Sequence, residues 1–154
     1  MKRLTVAFMS AAAVSLWAGC GAVEEVPVVP QITSVAGPEW SLARLDGSVL
    51  RSSDLRGKVV VLDFWATWCP PCRAEIPGYI EMQRDLAGED LVIVGVSLDE
   101  GGPAVVQEFA DRMGINYELV MGDNEVVNGF GGVQVIPTTF LIDREGQVRH
   151  RKEG

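Results

Sequence analysis

An α/β domain with a central parallel pair of strands and an antiparallel hairpin edge is predicted by three observations. Residues 58–66 (KVVVLDFWA) and 91–97 (LVIVGVS) are β-branched, nearly continuous apolar runs, the pattern of strands buried on both faces. A helical stretch separates them, and the alternation then repeats. The chain closes on two further runs joined by Arg144-Glu145-Gly146, a hairpin signal.

The elements follow in order. Residues 40–45 and 48–51 are short alternating runs joined by Asp46-Gly47, which predicts an N-terminal hairpin. Residues 58–66 form the first central strand. A helix is predicted over 72–86, with Pro77 inside it as a kink. Residues 91–97 form the second central strand. Pro103 in the first turn and Gly114 just past the end bound an amphipathic helix over 103–113. A short strand over 117–121 and a short helix over 124–130, closed by Gly131-Gly132, lead to strands over 138–143 and 147–152.

The composition bounds the function. At 154 residues, the chain holds one domain, or one domain with a tail. With 47% hydrophobic and 22% charged residues it is globular. A formal net charge of −8 argues against nucleic-acid binding, which needs a basic face to displace counterions. Residues 1–20 read as an export signal: Lys2 and Arg3, an apolar core too short to span a membrane comfortably, then small residues. Ala18-Gly19-Cys20 resembles a bacterial lipobox, with Trp17 where that pattern prefers Leu, so Cys20 is the expected lipid attachment site. Ordinary cleavage nearby is the alternative. A lipoprotein anchor would hold far more firmly than one acyl chain. Residues 21–38, with Pro27, Pro30 and Pro38 and no hydrophobic period, read as an extended tether; residues 39–154 are the domain.

The chemistry is expected at Trp68-Cys69-Pro70-Pro71-Cys72, between the first central strand and its helix. Two Cys at this spacing can close a disulfide across a first helical turn. The helix N-terminus favours negative charge, which populates the Cys69 thiolate as nucleophile. Cys72 would then resolve the mixed disulfide. Pro70 and Pro71 stiffen the loop and withhold two N–H donors from the thiolate. Three other readings compete. Structural zinc needs four ligands, and the chain offers one C-x-x-C pair and a single His, His150. A copper carrier would want a longer Cys spacing with a nearby His. An inert structural disulfide would not need this flanking signature.

Asp63 interrupts the buried run Val59–Ala66. A carboxylate there is costly unless paired or protonated, so its pKa should be raised. Six residues before Cys69, it is a candidate for proton transfer with Cys72. The bland alternative is an acid reaching water or a lysine such as Lys58. Glu75, one turn past Cys72, is a second proton-transfer candidate, though most first-turn Glu residues merely favour the helix dipole.

Residues 57–77 (GKVVVLDFWATWCPPCRAEIP) resemble the active-site segment of the thioredoxin superfamily, most closely its exported TlpA/ResA branch. The likeness runs from about Trp40 to the C-terminus, through Leu55–Lys58, Ser97-Leu98-Asp99-Glu100 and Val135-Ile136-Pro137-Thr138-Thr139-Phe140. It implies a thioredoxin-like fold: a central mixed sheet flanked by helices, with the N-terminal hairpin as an extension. Cys69 and Cys72 match the redox pair. Pro137 matches the family's cis-proline, which lies against the disulfide and offers backbone to a substrate; Ile136, Trp68, Pro70 and Pro71 would shape the same groove. Glu75 matches the acid three residues past the second Cys. Asp63 matches the buried Asp of cytoplasmic thioredoxins, where much of the exported branch has Asn. The family adds a C-terminal helix over one sheet face; this sequence ends at Glu153-Gly154, so either it is a fragment or that face is less covered than usual.

The resemblance implies an extracytoplasmic thiol–disulfide oxidoreductase that reduces protein disulfides, with apocytochrome c before haem attachment as one substrate class. It implies a membrane thiol-reducing donor of the DsbD/CcdA type, a periplasmic or cell-envelope location, and no cofactor beyond the Cys69–Cys72 disulfide. Two rivals stand beside it. A peroxiredoxin-like peroxidase needs a Pro and a Thr or Ser at fixed places before its reactive Cys; Ala66 lies three places before Cys69, and Cys69 three before Cys72. A non-catalytic thioredoxin-like binding module would dock partners at Pro137 and would not need an intact C-x-x-C.

Overall fold

The computed structural model describes residues 35–86 and 88–154. The predicted signal segment, Cys20 and most of the predicted tether lie outside the described residues. The described part begins at Val35, four residues before the predicted boundary: β1 (Val35–Ala36) pairs antiparallel with residues 147–148, Val35 opposite Val148. Residues 35 and 36 are therefore sheet and not tether.

β2 (Ser41–Ala43) and β3 (Val49–Arg51) pair antiparallel as a separate two-stranded sheet. Their turn is longer than the two-residue Asp46-Gly47 link predicted. It spans Arg44–Ser48, because the Asp46 carboxylate accepts hydrogen bonds from Ser48 N (2.8 Å) and Oγ (2.6 Å) and closes a local loop. A 3-10 turn, Ser52–Leu55, leads to β4 (Val59–Trp65).

Then come α1 (Pro70–Asp85), β5 (Leu91–Ser97), α2 (Pro103–Met113), β6 (Glu118–Met121), α3 (Asn124–Gly129), β7 (Thr138–Ile142) and β8 (Gln147–Glu153). The helix α1 starts two residues earlier than predicted, since proline suits the first helical positions, where its missing N–H has no partner to lose. It continues through Pro77. The main sheet runs β1-β8-β7-β4-β5-β6. Its parallel part has three strands, β4, β5 and β6, not the predicted pair. β7 and β8 add the antiparallel edge.

Strand alternation sends Val60, Leu62 and Phe64 of β4 to one face, with Val94, Val96, Phe140 and Ile142. There they meet Leu42 and Leu50 of the hairpin and Val126 of α3, and Phe64, Phe130 and Phe140 stack at 4.7–5.9 Å between ring centroids. The other face carries Trp65 and Leu119 beneath α1 and α2, through Ile76, Val106 and Phe109. On this second face Leu141 of β7 is 39% exposed. Among the described residues no helix is long and apolar enough to cross a membrane.

Gly95 of β5 makes room on that second face. A Cβ there would lie 2.8 Å from Leu119 Cδ2 and 2.9 Å from Trp65 Nε1. Overpacking of this kind costs about 1–3 kcal/mol. Gly95→Ala should therefore lower the urea midpoint, and an unchanged midpoint would mean that Trp65 and Leu119 have room to move.

Candidate redox site

The site is built on the junction between β4 and α1. β4 ends at Trp65, and Cys69 N–H bonds back to Ala66 O at 3.1 Å, closing a turn. Cys69 is the N-cap of α1, with Pro70 and Pro71 in its first positions. The two prolines supply no N–H, so Cys72 offers the first amide of the helix. It donates to Cys69 Sγ at 3.3 Å. The sulfur most exposed to the helix N-terminal field thus carries the first available donor, an arrangement that favours a thiolate on Cys69.

Cys69 and Cys72 form a disulfide, S–S 2.09 Å. Both are nearly buried, at 3% and 1% exposed, while Trp68 just before them is 65% exposed. Pro70 and Pro71 are exposed beside it. The Ile136–Pro137 peptide is cis. Ile136 O lies 3.7 Å from Cys69 Sγ, a contact in the disulfide and a position where a Cys69 thiol could donate after reduction. The structure therefore brings Cys69, Cys72, Trp68, Ile136 and Pro137 to one place. Among the described residues no cluster of His, Cys, Asp and Glu could hold a metal ion.

Asp63, Glu75 and Lys152 form a second group. Asp63 is 5% exposed. Its register partners place it in one row across the sheet: Gly95 on β5, Asp63 on β4, Thr139 on β7 and Lys152 on β8. Thr139 Oγ1 donates to Asp63 Oδ1 at 3.0 Å. Burial pushes the Asp63 carboxyl up to about 7; the Thr139 hydrogen bond opposes the shift, Glu75 adds to it, and Lys152 opposes it. Lys152 Nζ donates to Glu75 Oε1 at 2.7 Å, and Glu75 holds the Lys152 ammonium above its usual range. Glu75 Oε2 is buried with no hydrogen-bond partner among the described residues. Among the described residues the partners of Asp63 are thus Thr139 and, electrostatically, a lysine, which is Lys152 and not Lys58.

Sequence reasoning missed two other residues. Asp99, 8% exposed, accepts from Thr67 N (2.9 Å), Thr67 Oγ1 (2.6 Å) and Ser97 Oγ (2.8 Å). It ties the segment before Cys69 to the end of β5. An acid two residues past the end of a buried strand was the available signal. Thr139 is the other, and its strand alternation alone could have placed it on the face of Asp63.

Comparisons with known proteins give the family and the fold. A family model described as AhpC/TSA family matches residues 34–151. The thiol-disulfide oxidoreductase ResA of Geobacillus thermodenitrificans is 38% identical over 113 residues, 73% of this chain and 64% of that protein. ResA of Bacillus subtilis is 37% identical over 112 residues, 72% of this chain and 62% of that protein. The chain thus spans a little under two thirds of the length of these relatives. A crystal structure of a thiol:disulfide interchange protein of the thioredoxin family from Chlorobium tepidum superposes with a TM-score of 0.72 at 34% identity, covering 79% of this chain and 86% of that one. The fold is therefore thioredoxin-like: a mixed sheet flanked by helices, with the N-terminal hairpin beside it.

Proposed function

This chain belongs to the AhpC/TSA family, and on that premise we propose that it is a thiol–disulfide oxidoreductase that reduces protein disulfides outside the cytoplasm. The observation that carries the reading is the Cys69–Cys72 disulfide at the N-terminus of α1, with Cys72 N–H on Cys69 Sγ and the cis-Pro137 loop against it. In the exchange, the Cys69 thiolate attacks one sulfur of a substrate disulfide and expels the other as thiolate. Cys72, losing its proton, then attacks Cys69 in the mixed disulfide; the Cys69–Cys72 bond forms and the substrate leaves fully reduced. Trp68, Pro70, Pro71 and Ile136 border the point of attack. Asp63, with a carboxyl near neutrality, takes the proton from Cys72 in this step, and Glu75 is the secondary proton-transfer group.

The names of the relatives and the Cys pair support this chemistry. The export signal and lipobox-like end support a cell-envelope location with a lipid on Cys20. An oxidising compartment would leave the pair oxidised, so the reading needs a membrane thiol-reducing donor, for which the DsbD/CcdA type is the candidate. Apocytochrome c is the candidate substrate class, and no cofactor is required beyond the disulfide.

The test is the reduction potential of the pair, read by Trp65 and Trp68 fluorescence in a defined thiol buffer. A value near roughly −270 mV is expected for a reductase. A value near roughly −120 mV would make the protein an oxidant and overturn the direction proposed.

A further inference from the structure

We propose that Tyr79 and Thr139 form a two-hydroxyl relay that aims a hydrogen bond at Asp63 and lowers the pH at which Asp63 exchanges its proton. Its consequence for turnover rests on the reading of Asp63 as a proton-transfer group; the relay itself does not. Tyr79 and Thr139 are positioning residues.

The geometry and the ionised state of Asp63 together give the direction of the relay. Thr139 is the cross-strand partner of Asp63, so the two side chains stand side by side on one face. Thr139 Oγ1 lies 3.0 Å from Asp63 Oδ1 and 3.2 Å from Tyr79 Oη. A threonine hydroxyl has one proton. An ionised carboxylate can only accept, so Thr139 gives that proton to Asp63, and in the Tyr79–Thr139 bond Tyr79 is then the donor; the Glu75 carboxylate is a second acceptor that competes for the same Tyr79 proton. Tyr79 can donate across the working pH range, because burial pushes its hydroxyl up to about 12, with Asp63 adding to the shift. The bonds then align head to tail, Tyr79 to Thr139 to Asp63, and each strengthens the next. When Asp63 binds a proton the constraint is lifted, since the acid can donate to Thr139 and Thr139 can turn to Tyr79. The relay therefore has one arrangement for the ionised acid and a second for the neutral one.

The other groups around Asp63 do not supply this bond. From α1, Glu75 faces it as a like charge. Ahead of β6, Tyr117 stands edge-on to Tyr79 at 6.1 Å, its hydroxyl pushed up by burial. From β8, Lys152 favours the carboxylate through space but bonds to Glu75. From β5, Gly95 has no side chain. Among the described residues Thr139 is the one hydrogen-bond donor to Asp63.

The test reads Asp63 directly. The full chain, oxidised, with 13C-carboxyl-labelled aspartate, is titrated by NMR as wild type, Thr139→Val, Thr139→Ser and Tyr79→Phe; Asp63→Asn assigns the signal. Thr139→Val should raise the Asp63 midpoint by about one pH unit, a tenfold change, because a hydrogen bond to the charged form is lost. Tyr79→Phe should raise it by less, and Thr139→Ser should restore it. A midpoint unmoved in Thr139→Val, or unmoved in Tyr79→Phe, overturns the relay; the latter keeps the test decisive if the valine variant does not fold. The pH dependence of disulfide exchange is measured on the same proteins. If it follows the shifted midpoints, both the relay and the proton-transfer role hold. If the midpoints move and the exchange profile stays still, the relay stands and the role of Asp63 in exchange falls.

Discussion

Replacing Cys69 with serine is expected to abolish disulfide exchange, by roughly a thousandfold or more, while the fold persists. A serine hydroxyl at the N-cap of α1 can still accept the Cys72 N–H, so the helix start keeps its cap. What it cannot do is ionise and attack sulfur. Cys72→Ser should fail differently. Cys69 remains free to attack, but nothing releases the product, so a mixed disulfide with the substrate should accumulate on Cys69. Reduction of a disulfide substrate, followed by thiol release and by mass spectrometry of the unreduced protein, distinguishes the two. If the Cys72 variant turned over like wild type, Cys72 would not be the resolving thiol. If the Cys69 variant still bound partners with unchanged affinity and wild type showed no exchange, the domain would be a docking module.

The second large effect is on stability. Asp63 has a folded-state pKa of about 7 against 3.8 for the free side chain. A raised acid pKa means that the folded protein binds more protons than the unfolded chain between those values, so stability falls as pH rises through that window. Above it the ionised carboxylate weakens the fold by on the order of 4 kcal/mol relative to low pH. Asp63→Asn removes the charge and keeps an oxygen to accept from Thr139. The variant should match wild type near pH 4 and exceed it by several kcal/mol near pH 8. Urea unfolding of both proteins at the two pH values gives the comparison. Parallel pH profiles for the two proteins would show that Asp63 ionises freely in the fold and that the burial argument is wrong.

Much of this site was legible because local signals and tertiary demands coincide in it. The runs around Val59–Trp65 and Leu91–Ser97 are too apolar for any place but the sheet interior, and the helix after Cys69 follows from what comes between. Asp63 stood out because a charge in such a run has no cheap explanation. What the sequence hid depends on register. If β7 and β8 paired without interruption from Ile142 opposite Val148, Thr139 would face Arg151. The irregularity between Leu141 and Ile142 shifts the pairing by one residue and brings Lys152 opposite Thr139, on the face of Asp63. No local pattern announces such a shift. The start of α1 was misplaced for a related reason: two prolines read as a loop until the helix is seen to begin with them. The third parallel strand, β6, is four residues long, too short for its period to show which neighbour it pairs with.

The Asp99 contacts with Thr67 and Ser97 carry a kinetic consequence. A loop that waits disordered must be fixed at every encounter, at about 1–2 kcal/mol of entropy per residue. Thr67 is already held on both its amide and its hydroxyl, two residues ahead of Cys69. That ordering is borne once, when the chain folds, and not again at each turnover. In the proposed exchange, Cys69 would meet its partner pre-organised, leaving the rate to the ionisation of the thiol and the approach of the incoming disulfide.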